Sequence, residues 1–211
     1  MRLVIPAILA HDTEAASRAA QTLHGFTDWI HLDITDGVFV PDTTVPLKTF
    51  YDTPLNTHRD IHLMVHEPRI YFEDCLNLKA TRVVFHVEAS GDITAAITAA
   101  RRHGFQVGLA IKAETPTEAL KPYIQDVDAV LVMSVTPGKQ GQHFIPSVLQ
   151  KIVAIRALSP RTTIGIDGGI NQATIDALVN LPVDYAIVGS ALVQSQNPAQ
   201  THLELQQKLN P

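Results

Sequence analysis

Cysteine is nearly absent from this chain of 211 residues, because Cys75 is the only one. A lone cysteine excludes a disulfide framework within the chain and any metal cluster built from several thiolates. It also suits a reducing compartment, so we expect the protein to be cytoplasmic.

An excess of basic residues is also absent. The chain carries 16 Lys and Arg against 21 Asp and Glu, for a formal net charge of -5 and a pI near 6.0. Proteins that bind nucleic acid normally present a basic surface. No nucleic-acid partner is therefore expected.

Long apolar runs are missing as well. The N-terminal run of residues 3–10 is short, contains Pro6 and leads directly into His11 and Asp12. Such a run is too short for a membrane span and lacks the pattern of a signal-peptide cleavage site. It predicts a first β-strand, and no membrane partner is expected.

Strand-like and helix-like segments alternate along the whole sequence. Continuous apolar runs such as AVLVMSV are typical of parallel sheets covered by helices. Eight such units in a chain of this length predict a (β/α)₈ TIM barrel, a fold that needs a chain of at least roughly 200 residues. An open doubly wound α/β sheet has the same local pattern and remains the alternative. The predicted strands are 3–8, 29–34, 60–65, 82–87, 106–111, 129–134, 163–167 and 185–188.

Helices are predicted between these strands, and a further weak one at 46–52. With 45% hydrophobic residues, the chain has enough apolar surface for one core, so we predict a single TIM-barrel domain of residues 1–211. The other predicted helices are 13–23, 70–78, 92–104, 117–124, 145–158, 172–180 and 198–209.

Four side chains at strand positions indicate a metal site. His31 and Asp33 share one face of the second strand, because side chains alternate along a strand. His62 lies in the third strand, and Asp167 ends the seventh. Each residue has an ordinary structural explanation when taken alone. Together at the C-terminal end of one barrel, two imidazoles and two carboxylates suit Zn, Mn, Fe or Co.

Glycine-bearing segments follow the last three strands, at 137–141, 168–169 and 189–190. Glycine lets backbone N–H groups approach an anion closely, and late loops of such barrels commonly hold phosphate. A short helix is expected to begin near Ser190. Met64 and Met133 are candidates for an apolar surface beneath the substrate, while His86 and Glu88 are candidates for lining or supporting the pocket.

The motifs taken together resemble the ribulose-phosphate 3-epimerase family nearly from end to end. The resemblance implies a TIM barrel that binds one divalent metal and interconverts D-ribulose 5-phosphate and D-xylulose 5-phosphate. The matching segments are HLDITDGVFVP, IHLMV, VVFHVEA, VGLAIKAETP, LVMSVTPGKQGQHFIP, IGIDGGIN and AIVGSAL.

This resemblance also implies roles for particular residues. It assigns metal binding to His31, Asp33, His62 and Asp167, and proton transfer to Asp33 and Asp167. Two carboxylates on opposite sides of a carbon next to a ketone can remove its proton from one face and return one to the other. The substrate-binding residues expected for a sugar phosphate are Met64, Met133, Gly138, Gly141, Gly168, Gly169, Gly189 and Ser190. A homo-oligomer is also expected.

Several positions depart from the family pattern. Ala7 stands where serine is usual, Thr35 where methionine is usual, and the phosphate loop contains Lys139 and Gln140 in place of Phe-Gly. Lys139 is a candidate phosphate contact, although a solvated loop lysine is the simpler interpretation. These changes leave the exact ketose phosphate open.

Three other functions remain in view. An epimerase of a longer substrate such as allulose 6-phosphate would explain the altered pocket. A non-catalytic sugar-phosphate-binding relative would explain the loss of family residues. A decarboxylase or aldolase of the orotidine-phosphate or hexulose-phosphate group is disfavoured, because the Asp-x-Lys-x-x-Asp motif is missing after Asp33.

Overall fold

Eight parallel strands close into a barrel in the computed structural model, which describes residues 1–55, 58–138 and 141–211. Each strand pairs with its sequence neighbours, and the first pairs with the last through Leu3 and Tyr185. The predicted TIM barrel is confirmed. The strands are β1 (Leu3–Ile8), β2 (Trp29–Thr35), β3 (His58–Met64), β4 (Arg82–His86), β5 (Gln106–Ile111), β6 (Ala129–Met133), β7 (Thr163–Asp167) and β8 (Tyr185–Val188).

Helices cover the outside of the barrel. The first begins where the Asp12 side chain accepts a hydrogen bond from the Ala15 N–H at 2.7 Å, which satisfies a free donor of the first turn. The α-helices are α1 (Thr13–Leu23), α2 (Phe72–Asn77), α3 (Ile93–Arg102), α4 (Leu149–Leu158), α5 (Ser190–Val193) and α6 (Pro198–Leu209). The short helix expected near Ser190 is thus present as α5.

Some predicted helices are shorter than expected. Residues 117–124 form only a 3₁₀ turn at Thr117–Leu120, since Pro122 has no backbone N–H with which to continue the helical hydrogen bonds. The segment 172–180 forms only a 3₁₀ turn at Ile175–Leu178. There the Asn171 side chain accepts from the Ala173 N–H, and such local bonds compete with a helix. The remaining 3₁₀ turns are Leu47–Phe50, Pro68–Tyr71 and Pro146–Val148.

The N-terminal end of the barrel is closed by a buried cation between aromatic rings. The Arg82 guanidinium lies 4.3 Å from the centre of the Tyr185 ring and 5.1 Å from that of Trp29. Gly165 leaves room for this arrangement, because a Cβ there would stand 2.1 Å from the Tyr185 ring. We call this end the barrel floor.

Apolar side chains fill both the barrel interior and the layer between strands and helices. Burying this surface is the main force that holds such a fold together. No helix within residues 1–55, 58–138 and 141–211 has both the length and the apolar character needed to cross a membrane.

Candidate metal centre and active-site cleft

The predicted metal ligands converge inside the C-terminal half of the barrel. Asp33 on β2 stands opposite His62 on β3, and Asp167 ends β7 opposite Met133 of β6. His31 lies two residues before Asp33 and shares its inward face. Each of the four residues offers one ligand atom, and these atoms all lie within 4.8 Å of one another.

Asp33 is the centre of the cluster. Its Oδ1 lies 2.9 Å from His62 Nδ1 and 3.3 Å from His31 Nε2. Asp167 Oδ2 lies 3.7 Å from the same His62 nitrogen. The side chains of His31 and His62 are fully buried, whereas those of both aspartates reach the surface slightly.

The chemistry of this donor set fits a divalent metal ion. His31 Nε2 is buried, faces the cluster and makes no hydrogen bond to any described residue. A buried nitrogen without a partner is costly, and a metal ion would satisfy it. Two imidazole nitrogens and two carboxylates are ligands for zinc, manganese, iron(II) or cobalt, so the four residues could hold one such ion.

The two aspartates differ in their affinity for protons. Burial raises the pKa of Asp33, but the neighbouring His31 and His62 outweigh it, so the net pKa lies well below its usual value. Burial and repulsion from Asp33 raise the pKa of Asp167 to about 6. In the metal-free cluster one carboxylate therefore stays ionised, and the other takes up a proton as the pH falls to about 6.

His31 is supported from the barrel floor. Its Nδ1 lies 2.8 Å from Asp60 Oδ2, and Arg82 donates to both Asp60 oxygens, from Nε at 2.8 Å and from Nη2 at 2.6 Å. Burial disfavours the charged imidazole, but the carboxylates of Asp60 and Asp33 raise the pKa of His31 to about 10.

Asp60 and Arg82 were not expected from the sequence. A signal for Asp60 existed, because it precedes His62 by two residues and so faces the same way. Arg82 stands opposite Asp60 in the pairing of β3 with β4, which sequence alone does not reveal.

His62 is supported from the side of the barrel. Its Nε2 lies 3.0 Å from His86 Nε2, and His86 Nδ1 lies 3.1 Å from Glu88 Oε2. Burial lowers the pKa of His86 to about 4. Burial opposes ionisation of Glu88, but its hydrogen bonds with His86, Thr115 and the Lys112 backbone lower the pKa to about 2.

A cleft opens onto this cluster. Asp33 and Asp167 line it, together with Ala7 and all eight residues predicted to bind substrate. Those residues are Met64, Met133, Gly138, Gly141, Gly168, Gly169, Gly189 and Ser190. The methionines and the glycine-rich segments therefore meet in one place, next to both carboxylates.

Two glycines of the cleft have backbone conformations and surroundings that would not accommodate a side chain. At Gly168, φ is +116° and a Cβ would stand 2.4 Å from Val135 Cγ2. At Gly169, φ is +66° and a Cβ would stand 2.8 Å from the Phe144 backbone nitrogen. Only glycine adopts such conformations readily in so little space. Lys139 and Gln140 lie outside the described residues.

The two altered family positions lie in or near the cleft. Ala7 lines it and stands opposite His31 in the pairing of β1 with β2. The hydroxyl oxygen of Thr35 is buried without a hydrogen-bond partner among the described residues. Both positions belong to the part of the barrel that holds the metal cluster.

Solved structures that are similar to the chain share its fold. KGPDC from Streptococcus mutans has a TM-score of 0.74, with 11% identity over 99% of this chain and 97% of that one. A 3-hexulose-6-phosphate synthase from Salmonella typhimurium has a TM-score of 0.72, with 16% identity over 99% of this chain and 98% of that one. At these identities the likeness concerns the barrel alone.

Curated relatives are much closer in sequence. The ribulose-phosphate 3-epimerase of Schizosaccharomyces pombe is 33% identical over 202 residues, covering 92% of this chain and 88% of the relative. The enzyme of that name from Treponema pallidum is 36% identical over 194 residues, covering 88% of each chain. The prediction of an epimerase-type enzyme is therefore confirmed. The sequence model described as the ribulose-phosphate 3 epimerase family matches residues 3–193, and the chain belongs to that family.

Proposed function

We propose that this protein is a metal-dependent enzyme that interconverts D-ribulose 5-phosphate and D-xylulose 5-phosphate by inverting C3. One observation carries the proposal. Two carboxylates with opposite shifts of pKa, Asp33 and Asp167, line one cleft beside two imidazoles. Pairs of titratable groups whose surroundings push their pKa values apart are suited to act as base and acid.

The two aspartates would transfer the proton. The ionised carboxylate takes the C3 proton from one face of the sugar, and the protonated one delivers a proton to the other face. In the reverse direction the two exchange roles. This requires one member to be charged and the other neutral before each turnover, and the opposite pKa shifts of Asp33 and Asp167 in the metal-free cluster support that division of roles.

His31, Asp33, His62 and Asp167 would hold the metal. When bound, such an ion supplies positive charge beside the carbonyl oxygen that becomes negative as the proton leaves. The imidazoles are buried beneath the carboxylates and are placed to hold the ion without occupying the cleft.

The rest of the cleft would position the sugar phosphate. Met64 and Met133 offer an apolar surface that excludes water from the reacting carbon. Gly138, Gly141 and the segments at 168–169 and 189–190 would offer backbone N–H groups to the phosphate. Gly138, Gly141, Gly168, Gly169, Gly189 and Ser190 are the proposed phosphate side of the site.

Deuterium exchange at C3 tests the proposal. The protein is incubated with D-ribulose 5-phosphate in deuterated water, with and without prior chelation, and C3 deuterium and xylulose 5-phosphate are measured. Asp33→Asn and Asp167→Asn should each lower the rate by about 10²- to 10⁴-fold, and chelation should abolish it until metal is restored. The exposed Asp52→Asn is the control. A folded protein that binds the sugar without exchanging the proton would instead be the non-catalytic relative.

A longer ketose phosphate is the second candidate substrate. Ala7 lines the cleft without the hydroxyl usual in the family, which leaves more room. A larger kcat/KM for allulose 6-phosphate than for ribulose 5-phosphate would favour it.

Assembly and location remain predictions. A homo-oligomer would be detected by light scattering of the purified protein. Cytoplasmic location and a single TIM-barrel domain of residues 1–211 are likewise proposed, and one rice relative is named a cytoplasmic isoform.

A further inference from the structure

Two buried imidazoles touch through the same type of nitrogen. His62 Nε2 and His86 Nε2 are 3.0 Å apart, and the rings are stacked with their centres 5.1 Å apart. A hydrogen bond between two ring nitrogens requires a proton on one and a lone pair on the other. The position of that proton decides what the remaining nitrogen of His62 offers to the metal cluster.

Glu88 settles the position of the proton. An ionised carboxylate can only accept hydrogen bonds, so His86 Nδ1, 3.1 Å from Glu88 Oε2, must be the donor. The neutral His86 ring then has its lone pair on Nε2 and accepts the proton of His62 Nε2. A neutral His62 then has its lone pair on Nδ1, the atom 2.9 Å from Asp33 and 3.7 Å from Asp167, where a metal ion shared with these carboxylates would accept it.

We propose that Glu88 and His86 are positioning residues that orient the protons of His62, so that its Nδ1 lone pair faces the metal cluster. The proposal rests on the proposed metal-dependent function. Partners of this kind commonly fix the tautomer of a metal-binding histidine. Here the partner of His62 is a second histidine. The residue that decides the direction of these hydrogen bonds, Glu88, is two contacts away from His62.

The second oxygen of Glu88 makes the proposal testable. Glu88 Oε1 accepts a hydrogen bond from the Lys112 backbone N–H at 2.9 Å. In Glu88→Gln the amide oxygen must take this place, because an NH₂ group there would face another donor. The amide NH₂ then faces His86 Nδ1 and donates to it. This reverses the hydrogen bond between residue 88 and His86 and the one between His86 and His62. It puts a proton on His62 Nδ1, where the proton opposes a metal ion.

Glu88→Ala separates this effect from a structural one. Alanine removes the charge and the bond to Lys112, but it leaves the His86 ring free to keep its original tautomer. Glu88→Gln changes the structure less than Glu88→Ala does, yet it should lower the affinity for metal more. Glu114→Gln, an exposed carboxylate two residues after Lys112, controls for the loss of one negative charge.

The experiment measures the affinity of the chelator-treated protein for Co²⁺ by competition with a coloured chelator. We expect affinity to fall about 10- to 100-fold in Glu88→Gln, by a smaller factor in Glu88→Ala, and not at all in Glu114→Gln. In parallel, ring ¹⁵N shifts of the metal-free protein identify the protonated nitrogens. His86 should carry its proton on Nδ1 in the wild type and on Nε2 in Glu88→Gln.

Two results would overturn the proposal. One is a greater loss of Co²⁺ affinity in Glu88→Ala than in Glu88→Gln, which would mean that Glu88 only holds the backbone at Lys112. The other is a wild-type His86 with no proton on Nδ1. If the wild type did not bind Co²⁺, the proposed metal-dependent function would fail, while the ¹⁵N shifts would still decide the direction of the chain.

Discussion

The two imidazoles of the cluster are held in different ways. His31 bonds directly to Asp60, a fully buried carboxylate that Arg82 binds through two hydrogen bonds at the barrel floor. His62 connects through a second imidazole to Glu88, whose side chain is 19% exposed near the mouth of the barrel. One histidine thus depends on a buried ion pair and the other on a chain of hydrogen bonds that reaches the surface.

The two supports should differ in what their loss changes, the stability of the fold or the binding of metal. Removing one partner of a buried ion pair leaves an uncompensated charge inside the protein, which is strongly destabilising. Glu88 is partly exposed and His86 is uncharged, so removing Glu88 leaves no unpaired charge inside the protein. The floor therefore joins the metal cluster to the stability of the fold, whereas the side support acts chiefly on the orientation of one ligand.

The largest expected effect is the loss of stability when the ion pair of the barrel floor is broken. Arg82→Met leaves the buried Asp60 carboxylate without its cation and should lower the free energy of unfolding by about 3 to 5 kcal/mol. Urea denaturation of the metal-free protein measures it. Arg18→Met, which breaks the exposed pair with Glu14 on α1, should cost under about 1 kcal/mol. Equal losses in the two variants would remove the distinction between floor and surface.

Removing both charges should restore the fold without restoring the site. In Asp60→Leu/Arg82→Met no buried charge is left unpaired, so most of the lost stability should return. His31 Nδ1 still lacks its acceptor, and Co²⁺ affinity should stay about 10- to 100-fold below that of the wild type. Denaturation and metal titration of the same preparations compare the two quantities. Recovery of both together would show that Asp60 does not orient His31.

The floor should also impose a pH dependence on the metal-free protein. His31 has a folded pKa raised to about 10 by Asp60 and Asp33, so above pH 6.5 the folded state binds a proton that the unfolded state has lost. Stability therefore falls as pH rises from 6.5 to 8.5, by at most about 1.4 kcal/mol per pH unit for this group.

Urea midpoints at intervals across this range measure the slope. Saturating Co²⁺ should flatten it, because a metal-bound His31 no longer holds the extra proton. A slope that is the same with and without Co²⁺ would contradict the assignment to His31.

The smallest effect concerns the neighbour of His31 on β1. Ala7→Ser restores a hydroxyl next to the cluster and should raise kcat/KM for ribulose 5-phosphate about 2- to 10-fold, the worth of one ordinary hydrogen bond. Co²⁺ affinity should not change, since the hydroxyl would contact substrate. Steady-state assays measure the first, and a drop in activity would indicate that the cleft is shaped for another sugar.

Much of the barrel could be predicted because local rules decide it. The alternation of side chains along β2 was enough to place His31 and Asp33 on one face. The convergence of Asp167 with them follows once β1 and β8 close the barrel. The helix ends were harder, since Pro122 and the Asn171 side chain interrupt segments whose apolar spacing is helical.

The supports of the site depend on register, which the sequence does not reveal. Asp60 meets Arg82 because residues 60 and 82 stand opposite each other in adjacent strands. His86 reaches His62 through a contact between β4 and β3 that no motif encodes. Sequence patterns locate residues on faces, whereas contacts between faces require the three-dimensional pairing.

The position of Arg82 makes barrel closure and dehydration of its charge a single event. Its guanidinium packs between Trp29 from the second strand and Tyr185 from the last. A fragment that ended before β8 would leave one side of the cation open to water, and the Asp60–Arg82 pair would remain hydrated. A half-barrel cut from this chain would therefore lack the dehydrated ion pair at its N-terminal end. Strand β8 must be in place before His31 has its buried support.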